Sequence, residues 1–210
     1  MYRLKRILGV ALLATLPISQ ASAGFFNVDL HSGGGSISTL AAAKTLITTT
    51  IPTASGLEAF IDLDDLGDGT TGHSAINNPF PVPGDLTDAA AHITGSFSIA
   101  AAGTYSFLVN HDDGMELAID GAVISTFAGL TDNIDTTASV VLGAGLHTVD
   151  LIVFERAGGF SAELWSAPGA HASFGSPFSL LTAAWVPEPA TLLLLGIGLA
   201  GLGFSRRHTH

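Results

Sequence analysis

The chain has 210 residues, no cysteine, 47% hydrophobic residues and a formal net charge of −11. Disulfides, thiolate metal sites and cysteine nucleophiles are therefore excluded. Between residues 24 and 186 only Lys44 and Arg156 carry a fixed positive charge, against 17 acids, a formal charge of −15. Such a body excludes nucleic acid and anionic lipid as partners, because both need Lys and Arg to neutralise phosphate. It favours divalent cations and neutral or cationic partners.

The chain opens with Arg3, Lys5 and Arg6, an apolar run from Ile7 to Ile18, and Ala21-Ser22-Ala23. A basic start, a short apolar stretch and a small-residue A-x-A site form a secretory signal peptide, cut between Ala23 and Gly24. Residues 24–185 then form one domain, with neither an internal repeat nor a flexible linker. "GFFNVDL" reads as an opening strand. "SISTLAAAKTLI" reads as a helix capped by Ser38 or Thr39. "DLDDLGDGTTGH", residues 62–73, gathers Asp62, Asp64, Asp65 and Asp68 around glycines. It fails the EF-hand pattern, since Leu66 and Ala75 fall where ligands are required. A solvated loop and a different kind of cation loop both remain open. "INNPFPVPGDLTDAAAH" reads as a loop crossing a sheet edge.

From residue 95 the chain alternates with period two. Phe97 and Ile99, then Tyr105, Phe107 and Val109, share one face. Met115, Leu117 and Ile119 oppose Glu116, Ala118 and Asp120. Val149, Leu151 and Val153 share a face, while Ile152 and Phe154 make the other partly apolar. Ala162 and Leu164 oppose Glu163 and Trp165. Asp120-Gly121 is a two-residue hairpin turn by composition, and Gly143-Ala144-Gly145 marks another. "LLTAAWV", residues 180–186, reads as a last strand. Short alternating strands separated by glycine turns predict an all-β, antiparallel sandwich.

"GSFSIAAAGTYSFLVNHDDGMELAIDG" followed by "VLGAGLHTVDLIVFERAGGFSAELW" resembles the protective-antigen domain, a β-sandwich found in toxins, glycosidases and flocculin adhesins. The resemblance covers about residues 95–170. It implies a jelly-roll-like sandwich, and it gives Asp112 and Asp113 a meaning. In flocculin-type members two adjacent aspartates, joined by a cis peptide, chelate one calcium ion that coordinates sugar hydroxyls. Asp112 and Asp113 stand in those positions as metal ligands, with Gly114 and His111 beside them at the ligand. Calcium takes six to eight oxygens, so carboxylates, carbonyls and water suit it. The resemblance also implies an asparagine ligand from a later loop. The corresponding segment "ERAGGFSAE" has none; Glu155, Glu163 or the carbonyls of Gly158 and Gly159 are the substitutes it offers. The other reading of the pair is a solvated turn whose oxygens accept backbone N–H bonds.

The histidines form no HExxH motif, and the chain has no nucleophile elbow, phosphate loop or zinc motif. No catalytic residue is assigned; the expectation is a binding module, not an enzyme. The last segment, residues 186–210, holds Pro187-Glu188-Pro189, an apolar run from Ala190 to Phe204, and Arg206-Arg207. Fifteen residues span about 22 Å as a helix, short for a hydrocarbon layer of about 30 Å. The basic end stays cytoplasmic, leaving the body outside the inner membrane. These three parts in order closely resemble the PEP-CTERM sorting signal of Gram-negative bacteria. That resemblance implies transient anchoring, cleavage by an exosortase and release to the cell surface or the exopolysaccharide matrix. The expected function is calcium-dependent carbohydrate binding in adhesion or biofilm; the alternative is a structural matrix protein with no small ligand.

Overall fold

A computed structural model describes residues 24–33, 35–64, 72–73, 78–80 and 86–184. The signal segment through Ala23 and the tail with Pro187, Glu188, Pro189, Arg206 and Arg207 lie outside the described residues, as do Asp65 and Asp68 of the acidic loop. Gly24 is the first described residue and is buried. Among the described residues no helix is long and apolar enough to cross a membrane.

Two sheets face each other. The first is assembled in the order β2 (Ala54–Glu58), β1 (Phe26–Ser32), β5 (Ala89–Ile99), β10 (Gly145–Glu155), β7 (Gly114–Ile119) and β8 (Ala122–Phe127). The second runs β4 (Asn78–Pro79), β3 (Asp62–Asp64), β11 (Ser161–Pro168), β6 (Gly103–Asp112) and β9 (Ile134–Leu142), with β12 (Ser179–Leu180) also paired to β11. All ladders are antiparallel except the short β3–β4 pair. The inward residues read from the alternation form the core: Phe97, Ile99, Phe107, Val109, Met115, Leu117, Ile119, Val149, Leu151 and Val153 are all buried in one cluster.

Strand β10 is apolar on its inner face and, at Ile152 and Phe154, on its outer face too, and that outer part has its own cover. The helix α1 (Leu40–Thr49) lays Leu40, Ala43 and Leu46 on Phe154 and Ala90, with Ile152 at the margin. Its apolar residues recur every three positions, which is one stripe of a helix. Thr39 caps it, its hydroxyl accepting from Ala42 N at 3.2 Å. Thr45, Thr48, Thr49 and Thr50 turn their hydroxyls back onto carbonyls four residues earlier, at 2.7–2.9 Å.

Several elements differ from the sequence expectation. Strand β5 starts at Ala89, so "AAAH", residues 89–92, is strand and not loop. Alanines 89 to 91 are wholly buried, Ala89 and Ala91 against the core and Ala90 under α1, and alanine carries little strand signal of its own. Asp62 and Asp64 are not in a solvated loop either; they lie in β3, opposite Glu163 and Ser161 of β11. The last strand shrinks to Ser179–Leu180, followed by an isolated bridge between Thr182 and Phe60. Leu181 and Ala183 still reach the core, while residues 185 and 186 lie outside the described chain.

The Asp120-Gly121 hairpin forms as expected, with φ of 51° and 76°. Asp120 also ties this turn to β10: its carboxylate accepts from Thr148 N at 2.9 Å and meets His147 Nδ1 at 2.6 Å. His147 Nε2 faces Gly143 O at 3.0 Å. Both ring nitrogens thus face acceptors, which only the imidazolium satisfies. The bond to Asp120 raises the His147 pKa, and the same bond lowers that of Asp120. A raised histidine stabilises the fold below its unfolded pKa and loses that contribution as pH rises through the folded value; a lowered aspartate contributes above its unfolded pKa and is lost as pH falls through its folded value. The clasp is therefore strongest between about pH 4 and 6.5. Asp120→Asn is expected to move the His147 imidazole midpoint downward, read by NMR titration; an unchanged midpoint would show that the clasp does not form.

Candidate functional site

The site is assembled where β6 ends, β7 begins and β10 ends. Asp112 closes β6 and Gly114 opens β7, with Asp113 between them. The Asp112–Asp113 peptide is cis. Asp113 is held from three directions: its N–H donates to Phe154 O of β10 at 2.7 Å, Oδ1 accepts from Thr131 N at 2.8 Å, and Oδ2 accepts from Arg156 N at 3.0 Å. Thr131 belongs to the loop before β9, and Arg156 directly follows β10.

The third carboxylate is that of Glu155, the last residue of β10. One oxygen from each of Asp112, Asp113 and Glu155 lies within 4.8 Å of the other two. Glu155 is 0% exposed. Its Oε1 accepts from Ala157 N at 2.5 Å, but Oε2 is enclosed with no hydrogen-bond partner. Burial, then the charges of Asp113 and Asp112, push its pKa up to about 8. An enclosed carboxylate oxygen without a donor is costly. A cation among the three carboxylates would satisfy it.

Two residues expected at the ligand have other roles. His111 is 0% exposed and cannot touch a ligand. Its Nδ1 meets Asp113 O at 2.5 Å and its Nε2 meets Thr136 Oγ1 at 2.7 Å. A carbonyl only accepts, so Nδ1 carries the proton and Nε2 accepts from the threonine. Burial lowers the His111 pKa, which favours this neutral tautomer. His111 therefore positions the Asp113 backbone. Gly114 is buried too. A Cβ there would collide with the Phe154 ring and stand 2.8 Å from Gly129 O. Its lack of a side chain lets the acidic turn close onto β10.

Of the substitutes for the missing asparagine, Glu155 joins the aspartates and Glu163 does not. Glu163 Oε2 accepts from His73 N and from Trp165 Nε1, both at 2.9 Å. The backbone donors Thr131 and Arg156 carry no sequence signal, because any residue but proline supplies an N–H.

The comparisons with known proteins agree with this architecture. Residues 68–174 match the PA14 domain model, and residues 186–207 match the PEP-CTERM protein-sorting motif. Among solved structures, the PA14 domain of an antifreeze protein is 20% identical with a TM-score of 0.60, covering 83% of this chain and 96% of its own. A PA14 sugar-binding domain from an RTX adhesin is 19% identical, TM-score 0.59, covering 78% of this chain and 100% of that one. The epithelial adhesin 9 A domain from Candida glabrata, in complex with Galβ1-3GlcNAc, is 12% identical, TM-score 0.52, covering 77% and 90%. No curated protein sequence matches the chain.

Two outcomes follow. Gly114→Ala is expected to destabilise the domain by about 1–3 kcal/mol, the range for overpacking a filled site, read by urea denaturation. An unchanged midpoint would show that Phe154 yields freely. In cation-free buffer a Glu155 pKa raised to about 8 favours the fold below the unfolded carboxylate value and loses that contribution as pH rises. The melting temperature should fall between about pH 4.5 and 8, and Glu155→Gln should flatten that fall. A parallel decline in both proteins would assign it elsewhere.

Proposed function

Because this chain belongs to the PA14 domain family, we propose that it is an exported surface or matrix protein that binds carbohydrate through a calcium ion held by Asp112, Asp113 and Glu155. The observation that carries the reading is the buried carboxylate of Glu155: one of its oxygens lies within 4.8 Å of oxygens from both aspartates, and its Oε2 has no hydrogen-bond partner. Calcium–oxygen distances are about 2.3–2.6 Å, so ligands on opposite sides of one ion lie about 5 Å apart. The three oxygens fit a single coordination sphere. Asp113 can take part while keeping its two backbone bonds, since each carboxylate oxygen has a second lone pair. When bound, calcium supplies open coordination positions for sugar hydroxyls. The chain's own residues fix where those positions point: His111 and Phe154 hold the Asp113 backbone, and Thr131 N and Arg156 N hold its carboxylate.

The saccharide class is supported by the sugar-bound adhesin and the sugar-binding RTX domain that share the fold. Both are binding modules, which favours a role without catalysis. Export and sorting are supported by the match at residues 186–207. On this reading an exosortase at the inner membrane acts on the tail around Pro187-Glu188-Pro189, and the domain passes to the surface or to extracellular polysaccharide.

One observation favours a second reading. Both oxygens of Asp113 already accept backbone N–H groups, as in a structural turn, which suits a matrix protein with no small ligand. Calcium calorimetry on the full chain, in a detergent without a sugar headgroup, separates the two. The lectin reading expects saturable binding in wild type, and a weakening of at least tenfold in Asp112→Asn and Glu155→Gln, about 1.4 kcal/mol or more. It also expects chelator-sensitive signals on a glycan array. Absent calcium binding, or equal binding in both variants, would sink it in favour of the structural turn.

A further inference from the structure

The outer face of the first sheet, turned away from the second sheet, carries a separate groove of about 390 Å³. It runs between α1 and the β7–β8 hairpin. Its floor is apolar: Ala118 of β7, Val123 of β8 and Ile152 of β10. An ion pair and a hydrogen-bonded pair flank it. Lys44 of α1 meets Glu116 of β7 at 2.6 Å, and His92 of β5 meets Asp150 of β10 at 3.0 Å. None of these residues belongs to the acidic triad.

The chemistry of the lining selects a ligand class. The volume lies within the ~300–1,000 Å³ of small-molecule sites, and an apolar lining with a few convergent polar groups is their usual composition. Each pair keeps hydrogen-bonding capacity. The Lys44 ammonium has three donors and Glu116 takes one of them; Asp150 engages His92 through Oδ1 and retains Oδ2. A cationic ligand would share the groove with the Lys44 ammonium and leave its spare N–H donors without an acceptor. An anionic ligand would stand beside the Glu116 and Asp150 carboxylates that also line the groove, and would approach a body of formal charge −15. A neutral polyhydroxylated ligand does neither. Its hydroxyls bridge the spare donors and acceptors on both sides, and its C–H faces cover the apolar floor.

We infer that this groove is a second saccharide site, selective for neutral sugars and independent of any cation. It goes beyond the calcium-linked reading and shares with it only the class of ligand. With one site at the acidic turn and another on the outer sheet face, a single domain would bridge two glycan chains.

The test is saturation-transfer NMR on the full chain in lauryldimethylamine oxide micelles with excess EDTA. The probes are lactose, cellobiose and maltose, with glucuronic acid and glucosamine as charged comparators. At least one neutral disaccharide is expected to bind saturably and more tightly than either charged sugar. Thr48→Trp, which fills the groove from the exposed side of α1, and Lys44→Met are each expected to weaken it at least tenfold. Asp112→Asn should leave it unchanged. The inference is overturned if no neutral disaccharide binds in EDTA, if Thr48→Trp and Lys44→Met bind like wild type, or if a charged sugar binds as well. Sugar binding seen only with calcium, and lost in Asp112→Asn, supports the acidic site alone and removes this one. Binding in EDTA without any calcium-dependent binding supports the groove and removes the other.

Discussion

The site depends on where strand β10 ends. This strand lies inside the first sheet, paired on one side to β5 along its full length and on the other to β7. Its inward side chains pack into the core, and near its end the outward Phe154 and Ile152 pack against α1. A strand fixed on four sides cannot shift register without moving an apolar set to the wrong face. Its last residues are therefore held as firmly as its middle. Those residues supply Phe154 O to the Asp113 backbone, the Glu155 carboxylate to the triad and, one position later, Arg156 N to Asp113.

That fixed frame explains how three acids come together in a chain already rich in negative charge. The opposing terms are backbone N–H groups, which are rigid and neutral overall, and the proton that Glu155 retains up to a pKa of about 8. On the proposed reading, a cation would take the place of that proton among the three carboxylates. The nearest titratable ring, His111, is kept neutral by burial and spends both nitrogens on positioning.

The sandwich was legible in the sequence where strands have one apolar and one polar face. Met115 to Ile119 and Val149 to Val153 fell as their alternation requires, and the Asp120-Gly121 turn followed from the positive φ both positions accept. Strands whose residues are buried for reasons other than hydrophobicity were not legible. Asp62 and Asp64 in β3 look like loop residues until Glu163 and Ser161 are seen opposite them, and the threonines and serine of β9 give an edge strand little pattern. At the site, Asp112 and Asp113 stood out because adjacent acids after an apolar run are conspicuous. Glu155 was visible only as one of two glutamates near the right loop, and the fold chose between them by burying one beside the aspartates and spending the other on His73 and Trp165. His111 read as a ligand neighbour because sequence adjacency does not say which way a ring points.

The final described segment has a mechanical meaning. Leu181 N bonds to Leu164 O of β11, Ala183 N to Ala59 O, and Ala184 N to Ser96 O of β5. Leu181 and Ala183 also insert into the core between the sheets. Tension applied to the chain beyond residue 184 therefore enters both sheets together. It loads several hydrogen bonds and two buried side chains in parallel instead of peeling one edge strand. A domain held at its C-terminal end while it grips a glycan would carry shear through this strap and both sheets to the acidic turn between β6 and β7.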